Sequence, residues 1–492
     1  MDCYFLMFDT IEVHAPMNKS SFEKRALALR QQLLQSQFSL QGSRHPVIIV
    51  LAGLDGSGKG VLVHRLNEWM DPSGIDTNTY WEHSDEEESR PYFWRYWQKL
   101  PPRGRIGIFL GSWYTQATQK RLLSNIVDAE FEHTCRKIRN FERHLSDDGA
   151  VVIKIWLHVS EATQQRQLEE KAPRKQQIPR VTEHPYELQG KYNQTLAIYE
   201  ELIEKTQTEQ CPWHIVNGED RYHREINAGE IIRDAINSRL NNIAQLTQVP
   251  GLPEPHDFLA SINLDESLQK NEYKRELRKY QSRLQDLAWI AYNQKKSLVA
   301  VFEGWDGAGK GSAIRRVTGA IDPRLYKLVQ IAAPSDEEHA RQYSWRFWRQ
   351  LQRDGRATLF DRSWYGRVMV ERVEQFAADE EWKRAYGEIN DFEQELSEHG
   401  SVVVKFWIHI SKEEQLARFK DREEEAHKRH KITDEDWRNR EKWPAYEKAV
   451  NQMIEQTDTE EAPWVLVAGN NKYYARIRIL KALCKSLEKA LS

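Results

Sequence analysis

Short apolar runs recur along the chain, and stretches with helical spacing of apolar residues separate them. The runs include VIIVLAG, LVAVFEG, RATLFD, SVVVKFWI and WVLVAG, and apolar runs of this length predict buried strands. EYKRELRKYQSRLQDLAWIAYNQ predicts an amphipathic helix with Tyr273, Leu277, Tyr280, Leu284 and Leu287 roughly on one face. Strands that alternate with helices predict an α/β fold with parallel sheets covered on both faces.

The pattern occurs twice, displaced by 251 residues with no gap over a long span, as in Gly53 and Gly304. VVIKIWLH matches VVVKFWIH, and HSDEEESRPYFWRYW matches PSDEEHARQYSWRFW. Chance similarity would not keep one register through so many landmarks. We therefore expect a duplication with domains at 1–245 and 263–492, joined by a linker at 246–262 that contains VPGLPEPHDFLAS.

Each repeat has a glycine-rich loop after its first strand, GLDGSGKGV from Gly53 and GWDGAGKGS from Gly304. A strand before the loop and a helix after it are the context of a phosphate-binding loop rather than of a plain turn. The residues expected on phosphate are Gly304, Gly307, Gly309, Lys310 and Gly311. Gly311 stands where such loops ordinarily have a Ser or Thr for Mg²⁺, so Asp306 is the candidate metal ligand; a turn-stabilising contact is its alternative.

A second carboxylate is expected at the end of a neighbouring strand, in RATLFDRSWYGRV. Asp361 lies where ligands bind in such sheets, so it is a candidate metal ligand or base. Arg362 is placed to neutralise phosphate, and Arg367 in the same segment is a candidate phosphate contact. The structural alternative is an Asp–Arg pair that closes the strand.

The stretch from Ala417, ARFKDREEEAHKRHKITDEDWRNREKW, is rich in charge. Arg418, Lys420 and Arg422 lie close together in its helical beginning. Enzymes that transfer phosphoryl groups often close a basic lid over the reacting phosphate. A solvated helix face of mixed charge is the other interpretation of the same residues.

Charge and cysteine content exclude several classes of protein. Lys and Arg number 71 and Asp and Glu 74, a net charge of −3 that lacks the basic surplus of a nucleic-acid binder. Cys3, Cys135, Cys211 and Cys484 form no CxxC pair, so we expect neither zinc nor disulfides, and a cytoplasmic location. No apolar run approaches the roughly 20 residues that span a bilayer, and we expect no membrane partner.

Together, GWDGAGKGSAIRR, FDRSWYGRVMVERV and VVVKFWIHISKEEQLARFKDRE resemble the polyphosphate kinase 2 family in its fused two-domain form. The resemblance implies two tandem P-loop kinase-like domains, similar to thymidylate kinase, each with three α/β/α layers, a parallel sheet and a helical lid. It implies transfer of the terminal phosphate of inorganic polyphosphate to AMP, giving ADP, with Mg²⁺ or Mn²⁺ bound by Asp306 and Asp361. It also places Lys310 on phosphate and Arg418 and Arg422 in the lid.

Three other functions stay open at this point. One is a polyphosphate-dependent kinase of ADP or GDP, and another is an ATP-dependent kinase of a small molecule. The third is a phosphate sensor or scaffold without catalysis, which the acidic centre of the second repeat argues against. Self-association of the chain is also left open.

The first repeat retains the loop but not the rest of the centre. Asp361 and Arg362 are matched by Leu110 and Gly111, so that FDRSWYGR has become FLGSWYTQ. Leucine can neither bind a metal ion nor accept a proton. The lid changes as well: Arg418, Lys420 and Arg422 are matched by Gln167, Glu169 and Lys171, and only Lys171 keeps the positive charge. The first domain is therefore expected to be inactive.

Overall fold

The computed structural model describes residues 8, 15–80, 82–123, 126–177, 191–241, 251–424 and 434–492 of the 492-residue chain. The chain divides into two compact units. The first consists of Met1–His83, Arg95–Gln245 and Ser335–Trp345, and the second of Ser84–Trp94, Leu246–Pro334 and Arg346–Ser492. The units differ from the predicted ranges 1–245 and 263–492 in two matching segments of the repeat. Ser84–Trp94 lies in the first range but belongs to the second unit, and Ser335–Trp345 lies in the second range but belongs to the first unit. Residues 246–250 of the predicted linker lie outside the described residues.

Each unit contains a five-stranded parallel sheet, as the apolar runs predicted. The strands of the first unit are β1 (Val47–Gly53), β2 (Ile75–Thr79), β3 (Ile106–Leu110), β4 (Val151–His158) and β5 (Trp213–Asn217). Those of the second are β6 (Leu298–Gly304), β7 (Tyr326–Gln330), β8 (Ala357–Asp361), β9 (Val402–His409) and β10 (Trp464–Ala468). The orders β2-β3-β1-β4-β5 and β7-β8-β6-β9-β10 are the same once the repeats are matched.

Helices follow the strands in both units. In the first half they are α1 (Lys19–Gln41), α2 (Lys59–Trp69), α3 (Asp85–Glu88), α4 (Trp94–Trp97), α5 (Trp113–Leu123), α6 (Asp128–Asp147), α7 (Glu161–Gln177), α8 (Tyr192–Thr206) and α9 (Arg221–Asn241). In the second half they are α10 (Lys270–Asn293), α11 (Lys310–Thr318), α12 (Asp336–His339), α13 (Trp345–Trp348), α14 (Val370–Val373), α15 (Asp379–Glu398), α16 (Lys412–Glu424), α17 (Asp434–Glu441), α18 (Trp443–Thr457) and α19 (Lys472–Leu491).

The central strands are apolar because both of their faces are covered. All seven residues of β1 are buried, and so are the first six of β6. The predicted face of α10 is confirmed in part: Tyr273, Leu284 and Leu287 are buried, whereas Leu277 and Tyr280 are partly exposed. None of the helices in the described part of the chain is long and apolar enough to cross a membrane.

Strand register brings the two predicted motifs of the second unit together. β6 lies between β8 and β9, and Phe302 of β6 is paired with Asp361 at the end of β8. The glycine loop and the FDRSWY turn therefore leave the sheet side by side, at the carboxyl edge where ligands of such sheets bind.

A buried ion pair lies beneath this edge of the second unit. Lys405 of β9 and Glu393 of α15 have side chains 0% and 1% exposed. Lys405 Nζ donates to Glu393 Oε2 (2.8 Å), to Tyr365 Oη (2.9 Å) and to the carbonyl oxygen of Thr457 (2.6 Å). All three ammonium protons are satisfied, so the cost of removing this charge from water is offset as far as geometry allows.

The carboxylate of this pair also anchors the FDRSWY turn. Glu393 Oε1 accepts hydrogen bonds from Trp364 Nε1 (2.9 Å) and Tyr365 Oη (2.7 Å). The first unit repeats the arrangement with Lys154 and Glu142 at 2.8 Å, and Glu142 accepts from the Trp and Tyr that follow Ser112. The Ser-Trp-Tyr sequence is thus retained in both units because it is part of the core.

We predict that Glu393→Ala lowers the free energy of unfolding by about 3–5 kcal/mol, because it leaves the buried Lys405 ammonium without its counter-charge. Chemical denaturation of the purified protein measures this loss. Adding Lys405→Met to Glu393→Ala is expected to restore much of it, since no buried charge then remains. A loss for Glu393→Ala below about 1 kcal/mol would mean that water reaches the pair.

Candidate active site

The loop after β6 has a backbone that only glycine fits at its first position. Gly304 has φ +148°, and a Cβ there would lie 2.5 Å from the carbonyl oxygen of Ile408. Because glycine has no side chain, the chain can turn directly from β6 into the loop. α11 then begins at Lys310. The N-terminus of α11 therefore opens at the carboxyl edge of the sheet, where backbone N–H groups favour anions.

Lys310 folds back over the loop that precedes it. Its Nζ donates to the carbonyl oxygens of Gly304 (2.6 Å) and Trp305 (3.3 Å), and it lies 3.9 Å from Asp306 Oδ1. Lys59 in the first unit makes the matching bonds, to the carbonyl oxygens of Gly53 (2.7 Å) and Leu54. The structure thus gives both loops the same lysine geometry.

Asp306 is held in its ionised form by the cations around it. Its Oδ1 accepts from Arg362 Nη2 at 3.1 Å, and its Oδ2 accepts from Asn439 Nδ2 at 3.0 Å. Burial by itself raises the pKa of Asp306, but Lys310, Arg362 and Asn439 outweigh it and hold that pKa below its usual value. A buried carboxylate that stays charged is suited to binding a cation.

Arg362 has a strained backbone, with φ +63°. Its counterpart Gly111 has φ +67°, so both units make the same left-handed turn after the strand. Gly111 adopts this turn at little cost, whereas a non-glycine residue there costs roughly 1–3 kcal/mol. The second unit accepts the strain, and its guanidinium thereby reaches Asp306.

Glu303 is a third carboxylate of the centre, and the sequence analysis missed it. It is the penultimate residue of β6, next to Gly304, and its Oε1 accepts from Ser363 Oγ at 2.8 Å. Burial raises the pKa of Glu303 to about 7, although Lys310, Ser363 and Arg362 act in the opposite direction. The first unit has Ala52 at the matching position, so a residue-by-residue comparison of the repeats would have found it.

Asp306, Lys310 and Arg362 lie along a cavity of about 930 Å³. Its cationic lining residues are Lys310, Arg315, Arg316, Arg362, Arg418, Arg422, Lys472 and Arg476. Its carboxylates are Asp306, Asp361, Asp421 and Asp436. Gly307, Gly309 and Gly311 line it as well, as expected for a phosphate loop. Cations thus outnumber carboxylates among the charged lining residues, which suits a polyanionic ligand.

The structure gives Arg418 a different position from the one expected of a lid residue. Its side chain is buried, and its guanidinium donates to the carbonyl oxygens of Gly307, Ala308, Gly469 and Asn470 at 2.7–3.0 Å. With these bonds and one to a carboxylate of its own helix, Arg418 braces the loop from below. Position after β9 suggested a lid, but the chain folds this helix against the loop itself.

The other predicted cations differ in their surroundings. Arg422 lines the cavity, whereas Lys420 is exposed and is not part of its lining. Arg367 pairs with Glu371 (3.2 Å) and Glu381 (3.8 Å) instead of opening onto the cavity. The most basic part of the predicted lid, 425–433, lies outside the described residues.

Two aromatic rings join the loop to the helices that follow it. Trp305 stacks on Trp443, the first residue of α18, with ring centroids 3.7 Å apart and an interplanar angle of 11°. Asn439 of α17 both donates to Asp306 and accepts from Tyr446 Oη at 3.1 Å. Asn439 is therefore a positioning residue that sequence reasoning missed, because a polar residue in a charge-rich helix carries no distinguishing signal.

The first unit has the scaffold without the acidic centre. Besides Ala52, it has Leu110 and Gly111 in place of Asp361 and Arg362. A cavity beside Lys59 there has about 30 Å³, enough for about one water.

The brace under the loop of the first unit comes from another helix. Arg224 of α9 donates to the carbonyl oxygens of Ser57 and Gly218, both at 3.2 Å. These carbonyls match two of those that Arg418 contacts in the second unit. The guanidinium has moved to α9, while position 167 of α7 is a glutamine.

The donor set of the second unit fits a magnesium ion bound together with phosphate. Within the described residues, no group of three or more His, Cys, Asp or Glu side chains is placed to hold a metal ion by itself. Mg²⁺ usually takes only one or two carboxylates from the protein and completes its shell with phosphate oxygens and water. Asp306 and Asp361 both line the cavity and supply that number.

Comparison with known proteins gives consistent matches over nearly the whole chain. The family profile of polyphosphate kinase 2 matches residues 16–243 and 267–492. A polyphosphate:AMP phosphotransferase of Pseudomonas aeruginosa is 43% identical, with 98% of this chain and 99% of that protein covered. One of the same name from Pseudomonas syringae pv. tomato is 40% identical, with 99% of each covered. A crystal structure of a Pseudomonas aeruginosa protein described as polyphosphate kinase 2 matches with a TM-score of 0.89 and 44% identity, over 98% of this chain and 99% of that one.

We predict opposite effects for two substitutions at the left-handed turn. Arg362→Gly should leave the free energy of unfolding within about 1 kcal/mol of the parent, since relief of strain offsets the entropy of glycine. Gly111→Ala should lower it by about 1–3 kcal/mol, because φ is +67° and the new Cβ would meet the carbonyl oxygen of Tyr80 at 2.5 Å. Denaturant titrations of both variants measure these changes, and a larger loss for Arg362→Gly than for Gly111→Ala would contradict the argument.

Proposed function

Because this chain belongs to the polyphosphate kinase 2 family, we propose that it transfers the terminal phosphate of inorganic polyphosphate to AMP. The products are ADP and a polyphosphate one unit shorter. The observation that carries the proposal is the meeting of Asp306, Asp361, Lys310 and Arg362 along one cationic cavity of the second unit. Relatives that match over their full length bear the name polyphosphate:AMP phosphotransferase.

Phosphoryl transfer asks the protein mainly for position and charge. The loop N–H groups and the start of α11 bind the phosphates, and Lys310 leaves its carbonyl partners to meet the transferring group. Arg362 and Arg422 neutralise charge that develops on the equatorial oxygens. Arg418 acts indirectly, by fixing the loop carbonyls so that the N–H groups face the cavity.

The second unit also needs a divalent cation, Mg²⁺ or Mn²⁺, held by Asp306 and Asp361. Such an ion, when bound, withdraws charge from the phosphate oxygens. Without a cation, these carboxylates would repel a polyphosphate. Glu303 holds Ser363, which begins the short helical turn after Arg362, and so helps to orient the carboxylate and guanidinium of the centre.

The first unit is proposed to be non-catalytic and to contribute structure. It has the loop lysine but neither Asp361, Arg362 nor Glu303 in its matching positions. A cytoplasmic location stays a prediction from the sequence, and self-association of the chain stays open.

A matrix of donors and acceptors tests the proposal. Polyphosphate and ATP are each incubated with AMP, ADP, GMP and GDP, and the nucleotides are separated and quantified. The proposal expects ADP from polyphosphate and AMP to form fastest. Faster formation of ATP from ADP would favour the diphosphate kinase, and transfer from ATP alone would exclude the proposal.

We predict that Lys310→Ala lowers the rate of ADP formation by at least about 100-fold, because it removes charge from the transferring phosphoryl. Lys59→Ala, its matched control in the first unit, should stay within about twofold of the parent. Both variants are assayed side by side, with thermal unfolding as a check of folding. Equal losses would show that both loops take part in catalysis.

We also predict that transfer stops when divalent cations are chelated and returns when Mg²⁺ is added. Asp361→Asn should require a higher Mg²⁺ concentration for half-maximal rate and should lose at least about 100-fold in turnover, because one anionic ligand is lost. Full turnover in excess chelator, or an Mg²⁺ requirement that Asp361→Asn leaves unchanged, would exclude Asp361 as a metal ligand.

A further inference from the structure

The cavity of the second unit extends beyond the phosphate loop, along α11 and α19. Three cations line this part: Arg316 of α11, and Lys472 and Arg476 at the start of α19. Across the described part of the chain, none of the three forms an ion pair with a carboxylate. We define these three residues as the distal cation cluster. Arg316 lies six residues beyond Lys310, or about 9 Å along the helix.

A tyrosine holds the two arginines of the cluster in place. Arg316 Nε donates to Tyr273 Oη at 3.4 Å, and the Arg476 guanidinium carbon lies 5.9 Å from the centre of the same ring. Arg316 Nη1 also donates to the carbonyl oxygen of Ser312 at 3.3 Å. These partners are neutral, so they orient the cluster without cancelling its charge.

The pKa of Lys472 is lowered by its surroundings. Partial burial lowers its pKa, and the neighbouring Arg418 and Arg476 lower it further, whereas Glu414 and Asp421 act in the opposite direction. An arrangement that keeps like charges close together costs free energy in the free protein. An anion that binds between them would remove that cost.

The first unit shows the same positions with their charge neutralised. Arg65 and Arg221 match Arg316 and Lys472, but Glu225 stands where the second unit has Arg476. Glu225 is fully buried and pairs with Arg65 Nε (2.7 Å) and Arg221 Nε (2.8 Å). Phe22, without a hydroxyl, replaces Tyr273. The fold therefore accommodates an ion-pair network at these positions in the first unit. In the second unit, the matching cations form no such network among the described residues.

We propose that Arg316, Lys472 and Arg476 form a second anion site, which binds phosphate units of the polyphosphate chain remote from the one being transferred. This inference rests on the proposed function and adds to it the direction in which the donor extends. A donor that ends at Lys310 runs along α11 and reaches the cluster only if it has several further phosphates. The site thus makes the enzyme selective for long chains.

The test is Arg476→Glu, which copies the first unit and supplies a carboxylate partner for Arg316 and Lys472. We expect KM for long-chain polyphosphate to rise at least about tenfold, with a smaller rise for tripolyphosphate, and KM for AMP to change less than twofold. Three lost phosphate contacts should also reduce the slope of log affinity against log salt by about 2, by analogy with flexible single-stranded nucleic acids.

Lys481→Glu is the matched control, since it makes the same charge change at an exposed position of α19 outside the cavity lining. Arg476→Lys should recover much of the affinity, and thermal unfolding verifies that Arg476→Glu folds. Equal effects of Arg476→Glu and Lys481→Glu, or equal effects on long chains and tripolyphosphate, would overturn the proposal. So would a rise in KM for AMP as large as that for polyphosphate.

Binding of long-chain polyphosphate without any nucleotide separates this inference from the proposed function. If Arg476→Glu weakens binding about tenfold while the parent forms no ADP, the distal site stands and the proposed reaction fails. If the parent forms ADP and Arg476→Glu binds polyphosphate as tightly as the parent, the reaction stands and the distal site fails.

Discussion

The candidate active site at the carboxyl edge of the second sheet depends on a buried ion pair between Lys405 and Glu393. Lys405 and Glu393 could not both be charged in the core without every hydrogen bond they make. Those bonds recruit Trp364 and Tyr365, so the FDRSWY turn is fixed from below. Asp361 and Arg362 stand at the start of that turn. Their position is a consequence of the core. The first unit, which lacks the acidic centre, has the matching ion pair between Lys154 and Glu142 because that pair belongs to the core.

The comparison of the two units separates scaffold from chemistry. Both have the loop, the left-handed turn and a guanidinium that bonds loop carbonyls. The brace itself is supplied by Arg418 of α16 in one unit and by Arg224 of α9 in the other. A structural need is thus met from two different helices, whereas the carboxylates of the centre have no substitute in the first unit. The scaffold of the first unit therefore does not depend on the charged residues that the second unit has at these positions.

Charge is treated oppositely in the two units. In the first, Glu225 neutralises the cations beside the loop helix, and a strained residue is avoided at Gly111. In the second, Arg362 has an unfavourable φ, and the distal cation cluster forms no ion pair with a carboxylate among the described residues. Both features cost stability in the free protein and are explained if a polyanion and a divalent cation complete the site.

Local patterns were sufficient to determine the duplication, the parallel sheets, the glycine loops and the strand-end carboxylate Asp361, because each depends on residues adjacent in sequence. The replacement of Asp361 and Arg362 by Leu110 and Gly111 in the first unit also followed from the register of the repeat alone. Only the tertiary structure decided that Arg418 bonds the loop carbonyls and that Glu303 and Asn439 support the centre. It also decided that Glu225 forms ion pairs in the first unit, whereas Arg476 at the matching position forms none among the described residues. Those assignments depend on which helix packs against the loop and on which charges face each other across helices far apart in sequence, and no local spacing encodes such contacts.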